Sequence, residues 1–443
     1  MGTTPIPKLL VSMSVPIMAS MLIQALYNVV DSIFVAKISE DALTAVSLAF
    51  PVQVMMIAVA VGTAIGINAL LSRRLGEKNY GEANLVTANG IFLSVLNALG
   101  FAVFGMFGLK MFFSAFVEPG AVMEMGVTYT SIVSIASFGV FLGITGERLL
   151  QATGITIYSM YSQMAGAVTN IILDPILIFG LLGAPEMGVA GAAVATVAGQ
   201  IVSLILVTVF NIKKNHEISL SMKKFRPNWR IIGEIYKVGL PSIFMQTIGA
   251  VMTFGMNKIL IMFSATAVSV FGIYFKLQSF VFMPVFGLTS GMIPIVGFNY
   301  GARNRERIVH TIKLASLMAL AIVTVGFTIF QVFPGWILGT LFDASDAMLA
   351  IGVPALRIIS LHFVLAAISI ILSSAFQALG KGMYSLMMSV SRQLLVLLPT
   401  AYLLGRFFSF EAIWLSFPIA EVAAVVMALL LYRNLYEKEI KPL

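Results

Sequence analysis

The chain has 443 residues, of which 59% are hydrophobic and 10% charged, with a formal net charge of +8 and no cysteine. Soluble domains carry about 25% charged residues, so a chain this apolar cannot cover a water-facing surface and takes the bilayer as its solvent. Lack of cysteine excludes disulfides, zinc-thiolate sites and thiol catalysis, and the basic excess, spread over short loops, reads as a positive-inside bias rather than nucleic-acid binding.

A spanning helix needs about 20 apolar residues. Spans are predicted at 9–36, 43–71, 86–110, 121–147, 157–182, 188–212, 232–262, 267–297, 308–332, 347–376, 382–405 and 410–433. They describe an all-α integral membrane protein of twelve transmembrane helices, with no room for a soluble catalytic domain. The opening MGTTPIPKLL lacks a cleavable signal pattern, so the first span is expected to be retained. Breaks fall at Ser39-Glu40-Asp41, Glu118-Pro119-Gly120, Gly183-Ala184-Pro185 and between Asp343 and Asp346.

The first span carries Gln24, Tyr27, Asn28 and Asp31, whose three- and four-residue spacings put them on one helical face. That polar stripe suits a water-filled cavity. An ionised side chain at the bilayer centre costs about 2.5–3.5 kcal/mol on insertion scales, so an intramembrane acid is a candidate functional group. In the fifth span Asn170 and Asp174 also share a face, and Pro175 leaves the carbonyl of Ile171 without its usual partner. The set favours a proton, water or a cation, and Thr196 of the sixth span adds a hydroxyl. Glu147 and Arg148, at the end of the fourth span, are expected to form a local ion pair.

In the second half, Gln246 and Lys276 are candidates for the cavity wall. Arg357 and His362 fall in the tenth span, Arg392 in the eleventh and Glu421 in the twelfth. The arginines and Glu421 are expected to pair as structural bridges, and His362 to be a packed, hydrogen-bonded histidine.

Basic residues mark alternate loops: Arg73, Arg74 and Lys78; Lys213, Lys214, Lys223, Lys224, Arg226 and Arg230; Arg303, Arg305 and Arg307; and Arg433, Lys438 and Lys441. Even-numbered loops and both termini are therefore expected on the cytoplasmic side of a cell membrane. The basic stretch 213–231 is the long connector and divides an N-lobe (1–212) from a C-lobe (232–443).

The halves repeat. Under a shift of 225 positions Val15-Pro16 falls on Leu240-Pro241, and the segment 74–79 falls on 299–304. One residue of slippage brings Gln151-Ala152-Thr153-Gly154 onto Gln377-Ala378-Leu379-Gly380. Six spans per half make the repeat parallel, a pseudo-two-fold about the membrane normal, as in known transporters. The acids are not repeated: Asp31 falls on Met256 and, with the prolines aligned, Asp174 falls on Leu398. Proton or ion chemistry at these acids belongs to the first half.

In its ordered motifs the chain resembles the multidrug and toxic compound extrusion (MATE) family over essentially its full length. The features are Pro16 with Gln24 and Asp31, the loop at 74–79 with its partner at 301–304, Gln151-Ala-Thr-Gly, Asn170-x-x-x-Asp174-Pro175 and Gly188-Val-Ala-Gly-Ala-Ala-Val-Ala-Thr196. The resemblance implies a coupling site built in the N-lobe from the first-helix acid and the Asn/Asp pair of the fifth. It implies a monomeric antiporter that exchanges amphipathic organic cations for protons or sodium by alternating access, with an ion gradient in place of any cofactor. Sodium-coupled relatives often carry an acid in the seventh helix; residues 240–257 contain none. That departure favours protons and a likeness to the prokaryotic DNA-damage-inducible branch. If sodium binds, Asp31, Asn170 and Asp174 are its expected ligands; no other metal is expected.

Other classes fit less well. A major-facilitator protein would carry an Asp-Arg pair in the loop after the second span, which here reads Ser-Arg-Arg-Leu-Gly-Glu-Lys-Asn. A lipid-linked oligosaccharide flippase of the same superfamily is the alternative, although its expected cationic cavity contrasts with these acids. No hydrolase, metalloenzyme or phosphate-loop motif occurs, so no enzyme activity is expected. A channel's selectivity ring would need oligomeric symmetry.

Overall fold

A computed structural model describes residues 1–222 and 225–443. Lys223 and Lys224 lie outside the described residues. Among the described residues every regular element is helical. The long helices are α1 (Ile6–Ala36), α2 (Glu40–Gly76), α3 (Tyr80–Phe107), α5 (Thr156–Phe179) and α6 (Val189–Lys214) in the first half. The second half has α7 (Trp229–Ile261), α8 (Ala265–Gly301), α9 (Arg305–Val332), α11 (Gly382–Phe407) and α12 (Glu411–Ile440). Two further spans are broken: α4 is Ala121–Ile135 with Phe138–Ala152, bent by 44°, and α10 is Asp346–Ser360 with Phe363–Ala378, bent by 48°. Among the described residues the ten unbroken helices, with each bent pair counted as one span, give twelve spans by length and composition. The bends fall at equivalent places in the two halves.

Helix ends depart from the sequence-based boundaries for a simple reason. Polar residues assigned to loops are caps. Ser39 accepts the Ala42 N–H at 3.0 Å, and Glu40 and Asp41 lie in the first turn of α2, where acids interact favourably with the helix dipole. Arg73 and Arg74 occupy its last turn. The repeat is written most clearly in these ends. Ser39 and Ser264 cap α2 and α8, and Asn79 and Asn304 cap α3 and α9, each pair 225 positions apart. Lys78 and Arg303, at the same shift, both take positive φ, 57° and 54°.

Packing divides the chain into two compact units, neither of which is cut at the 213–231 connector. The first is Val15–Ile243; the second joins Met1–Ser14 to Phe244–Leu443. Both changeovers lie inside helices, beside Pro16 of α1 and near Pro241 of α7.

In lipid, helix association rests on close packing rather than on expulsion of water, and small residues let backbones approach. The first unit shows this at α5 and α6. A Cβ added to Gly199 would stand 2.6 Å from the Gly166 carbonyl oxygen, one added to Gly166 would stand 2.8 Å from that of Gly199, and one on Gly191 would stand 2.5 Å from that of Leu177. The same Gly199 contact touches the Cβ of Asn170 at 3.2 Å, so this packing fixes a candidate site residue. Gly199→Val is expected to force α5 and α6 apart, at a cost of about 1–3 kcal/mol. A melting temperature lowered by several degrees in purified protein is the expected result; an unchanged melt would show that the helices do not meet here.

The second unit holds its own polar ties. Arg307 donates to the carbonyls of Met1 and Thr4, both at 2.7 Å, and to Asn299 Oδ1 at 3.1 Å. The first unit has the repeat-related counterpart, in which Arg74 meets Glu82 at 2.8 Å and Glu234 at 2.7 Å. Under the 225 shift Arg74 falls on Asn299 and Glu82 on Arg307, so the tie persists with its polarity exchanged.

Candidate functional site

The first unit brings five of the predicted residues together: Asp31, Asn170, Asp174, Thr196 and Tyr27. Asp174 is fully buried on α5, and Asn170 lies one turn before it, 2% exposed. Asn170 donates to Asp174 Oδ1 at 3.5 Å and to the Thr196 hydroxyl at 3.3 Å. Turned end for end, its amide donates to Asp174 Oδ2 at 3.2 Å and accepts the Thr196 backbone N–H at 3.1 Å. The second orientation satisfies both ends and is the better assignment. The Asp31 carboxyl, on α1, lies within hydrogen-bond reach of Asp174. Asp31 Oδ1 is buried with no hydrogen-bond donor, and two carboxyls brought to one site favour sharing a proton.

Two tyrosines enclose the pair. Tyr27 of α1 and Tyr129 of α4 stand close enough to both carboxyls to feel their charge. Tyr129 is 3% exposed and accepts a hydrogen bond from Gln53 Nε2 of α2 at 3.0 Å. Tyr129 and Gln53 were absent from the sequence-derived set. A glutamine and a tyrosine inside apolar helices were the available signal, but nothing in the sequence spacing joins α2 and α4 to α1 and α5.

The polar stripe predicted for α1 divides. Tyr27 and Asp31 are half-buried, whereas Gln24 and Asn28 are exposed. A stripe about one turn wide shows its flank to the surroundings, so a shared helical face does not mean shared burial. Gln246 and Lys276 are likewise exposed, and both belong to the second unit. The ion pair expected between Glu147 and Arg148 is replaced. Adjacent helical residues point about 100° apart, so each finds its own partner: Gln163 donates to Glu147 at 2.5 Å, and Arg148 donates to Gln151 at 2.7 Å. In the second unit Arg392 does reach Glu421, at 3.4 Å. Arg357 instead donates to the carbonyl of Gln331 at 3.1 Å.

A buried acid pair with an amide and a hydroxyl has the chemistry to hold a proton or a small cation. Comparison with known proteins identifies the family. The family model described as MatE matches residues 16–176 and again 241–403. The chain belongs to the MatE family. The two matches begin at Pro16 and Pro241, 225 positions apart, so the family model itself recognises the duplication seen in the helix caps. Among curated MatE-type relatives, Multidrug export protein MepA of Staphylococcus haemolyticus is 26% identical over 97% of this chain and 93% of its own. MepA of Staphylococcus aureus is 24% identical over 97% of this chain and 94% of its own. A solved multidrug resistance MATE family transporter in an outward-facing conformation matches with a TM-score of 0.92 at 25% identity, covering 99% of this chain and 98% of that one. A superfamily transporter from Pyrococcus furiosus, described as having a binding pocket of reverse polarity, matches with a TM-score of 0.90 at 25% identity over 97% and 96% of the two chains. The chain is a multi-pass membrane protein of this transporter family.

Proposed function

We propose that the protein is a multidrug efflux transporter that exports amphipathic organic cations in exchange for protons. The likeness to the multidrug export proteins over nearly the full chain supports the efflux function. The observation that carries the proton coupling is the Asp31–Asp174 carboxyl pair, buried in the first unit and closed off by Asn170, Thr196, Tyr27 and Tyr129. Two acids at one site accept and release a proton as a unit rather than as separate groups. With the proton gone, the pair carries enough negative charge to favour a cationic substrate. Protonation removes that charge and repacks α1 around Asp31, so substrate affinity falls and the transporter resets.

For a neutral substrate one proton supplies both terms, about 2.3 kcal/mol from a charge crossing about 100 mV and about 1.4 kcal/mol per pH unit; a cation leaving against the potential needs more than one proton or a steeper pH gradient. The halves 1–212 and 232–443 act as the moving lobes of a monomer, with both termini and the basic loops in the cytoplasm of a cell membrane. In the first unit Gln24, Tyr27, Asn28 and Thr196 contribute to the substrate path.

The test is efflux of a fluorescent organic cation from reconstituted vesicles under an imposed pH or sodium gradient. A pH gradient alone is expected to drive efflux, and Asp31→Asn is expected to remove that drive. Efflux that follows only sodium would move Asp31, Asn170 and Asp174 to the role of sodium ligands. Undiminished pH-driven efflux in Asp31→Asn would overturn the assignment of the site.

A further inference from the structure

The second unit lacks the acids of the first, yet it holds a buried charged cluster of its own. His362 sits at the break of α10, between Ser360 and Phe363, and is 6% exposed. Its Nε2 pairs with the hydroxyl of Tyr274 on α8 at 3.0 Å. Its Nδ1 has no hydrogen-bond partner and stands 3.6 Å from Glu421 Oε2 on α12. Glu421 is 3% exposed and accepts the Ser369 hydroxyl. Arg392 of α11 approaches it with one nitrogen, 3.4 Å from each carboxylate oxygen. Phe282 stacks on the imidazole, and Phe363 and Phe417 close the remaining sides.

A buried carboxylate with a firm partner is met at about 2.7–2.9 Å. Glu421 is met by Arg392 and His362 only at long range, and the two approach from different helices. The arrangement is undecided between them. Imidazole is the side chain whose charge changes near neutral pH. Tyr274, Ser369, Arg392 and Glu421 are the polar groups facing it from α8, α10, α11 and α12. On α9, Gln331 is engaged elsewhere, donating to the Ser360 hydroxyl at 2.9 Å and to the Arg357 carbonyl at 2.7 Å.

We propose that His362 and Glu421 form a second proton site, in which a proton from water binds the imidazole, draws Glu421 towards Nδ1 and frees Arg392. One proton and one positive charge enter the cluster, and both leave on release. Arg392 retains 28% side-chain exposure, so it has somewhere to turn when Glu421 lets go. His362 lies at the 48° bend of α10, so a change in its pairing acts where the helix is already broken.

The site bears on stoichiometry, and there it rests on the proton-coupled function proposed above. A cation exported for one proton moves no net charge, and the membrane potential does not assist it. A second proton makes the exchange electrogenic and lets the potential drive it. The first unit offers one proton-sharing acid pair; the second unit supplies the other proton.

The direct test does not depend on transport. The chain has three histidines, so ring-15N-labelled protein, with His362→Gln to assign its signal, reports the His362 ring alone. Its charge state is expected to respond to pH, and Glu421→Gln is expected to move that response by at least one pH unit. A ring that stays in one state at every pH at which the protein is folded, or a response indifferent to Glu421→Gln, overturns the proposal. In vesicles the protons exchanged per cation are expected to fall from two to one in Tyr274→Phe and in His362→Gln. An unchanged ratio in both, with each variant folded, also overturns it. Loss of all gradient-driven efflux in Asp174→Asn, alongside a His362 ring that does not titrate, would leave the first site standing and remove only the second. Wild-type protein with a titrating ring but no pH-driven efflux would do the reverse.

Discussion

Asp174→Asn is expected to lower pH-driven efflux by about 100-fold, and adding Asp31→Asn to lower it no further. In the proposed mechanism the two carboxyls hold one proton between them. Removing either leaves the other unable to share, and the second removal takes away nothing that still operates. Groups that act as a unit are strongly non-additive in this way. Asp174 is fully buried, and its asparagine is close in shape, so folding is expected to survive. Initial efflux rates for the two single variants and the double variant measure the coupling. Losses that multiply would mean that the acids work independently, and the shared proton would have to be abandoned. Asn170→Ala is expected to fall between wild type and the acid variants, because it removes the donor to Asp174 but keeps both acids.

The second large effect is expected at Arg74. Its guanidinium meets Glu77 at 2.8 Å, Glu82 at 2.8 Å and Glu234 at 2.7 Å, with 14% of the side chain exposed. Arg230 joins the same acids, reaching Glu234 at 3.0 Å and also pairing with Glu82. Arg74→Ala leaves Glu82 and Glu234 to Arg230 alone and Glu77 to Arg73. Hydrogen bonds to charged groups contribute about 1.5–3 kcal/mol each when one partner is deleted. The acids are themselves a quarter to a third exposed, so water recovers part of the loss. A net cost of about 2–3 kcal/mol is expected, read as a melting temperature lowered by several degrees with efflux slowed at least tenfold. Arg74→Lys keeps the charge but not the planar fork and is expected to recover less than half. Arg73, whose pair with Glu77 is 40% exposed on the arginine side, is the contrasting position, and Arg73→Ala is expected to change the melt by less than one degree. Equal effects at both positions would show that the network around Arg74 has no special strength.

Much of the architecture is legible in the sequence because lipid enforces it. Helices must be long, apolar and internally hydrogen-bonded, so spans, breaks and the 225-residue repeat can be read from composition and spacing. The candidate site is legible only in part. Asn170 and Asp174 are four residues apart, and helix geometry joins them. Asp31 with Asp174 spans four helices of sequence, and only the family resemblance links them in advance. Tyr129 and Gln53 carry no such marker. The cluster at His362 shows the same limit. Each member is visible as a polar residue in an apolar span, but the partnership of α8, α10, α11 and α12 is a property of packing. Degree of exposure is the least legible of all: Gln24, Tyr27, Asn28 and Asp31 share one polar stripe by spacing, yet only Tyr27 and Asp31 are half-buried.

The changeovers within α1 and α7 bear on how the protein is made. Residues 1–14 pack with residues 244–443, so that segment waits for more than 200 further residues to be made before it finds its partners. Residues up to 243 complete the other unit, and synthesis of the connector alone does not finish it. Contacts between such distant segments form late, because long loops must close before any contact rewards them. Biogenesis therefore has a natural checkpoint: a chain arrested at the connector lacks the start of α7 and leaves both units unfinished. Two separately translated halves, 1–222 and 225–443, would each lack a segment that the other carries. They are expected to accumulate in the membrane only when made together.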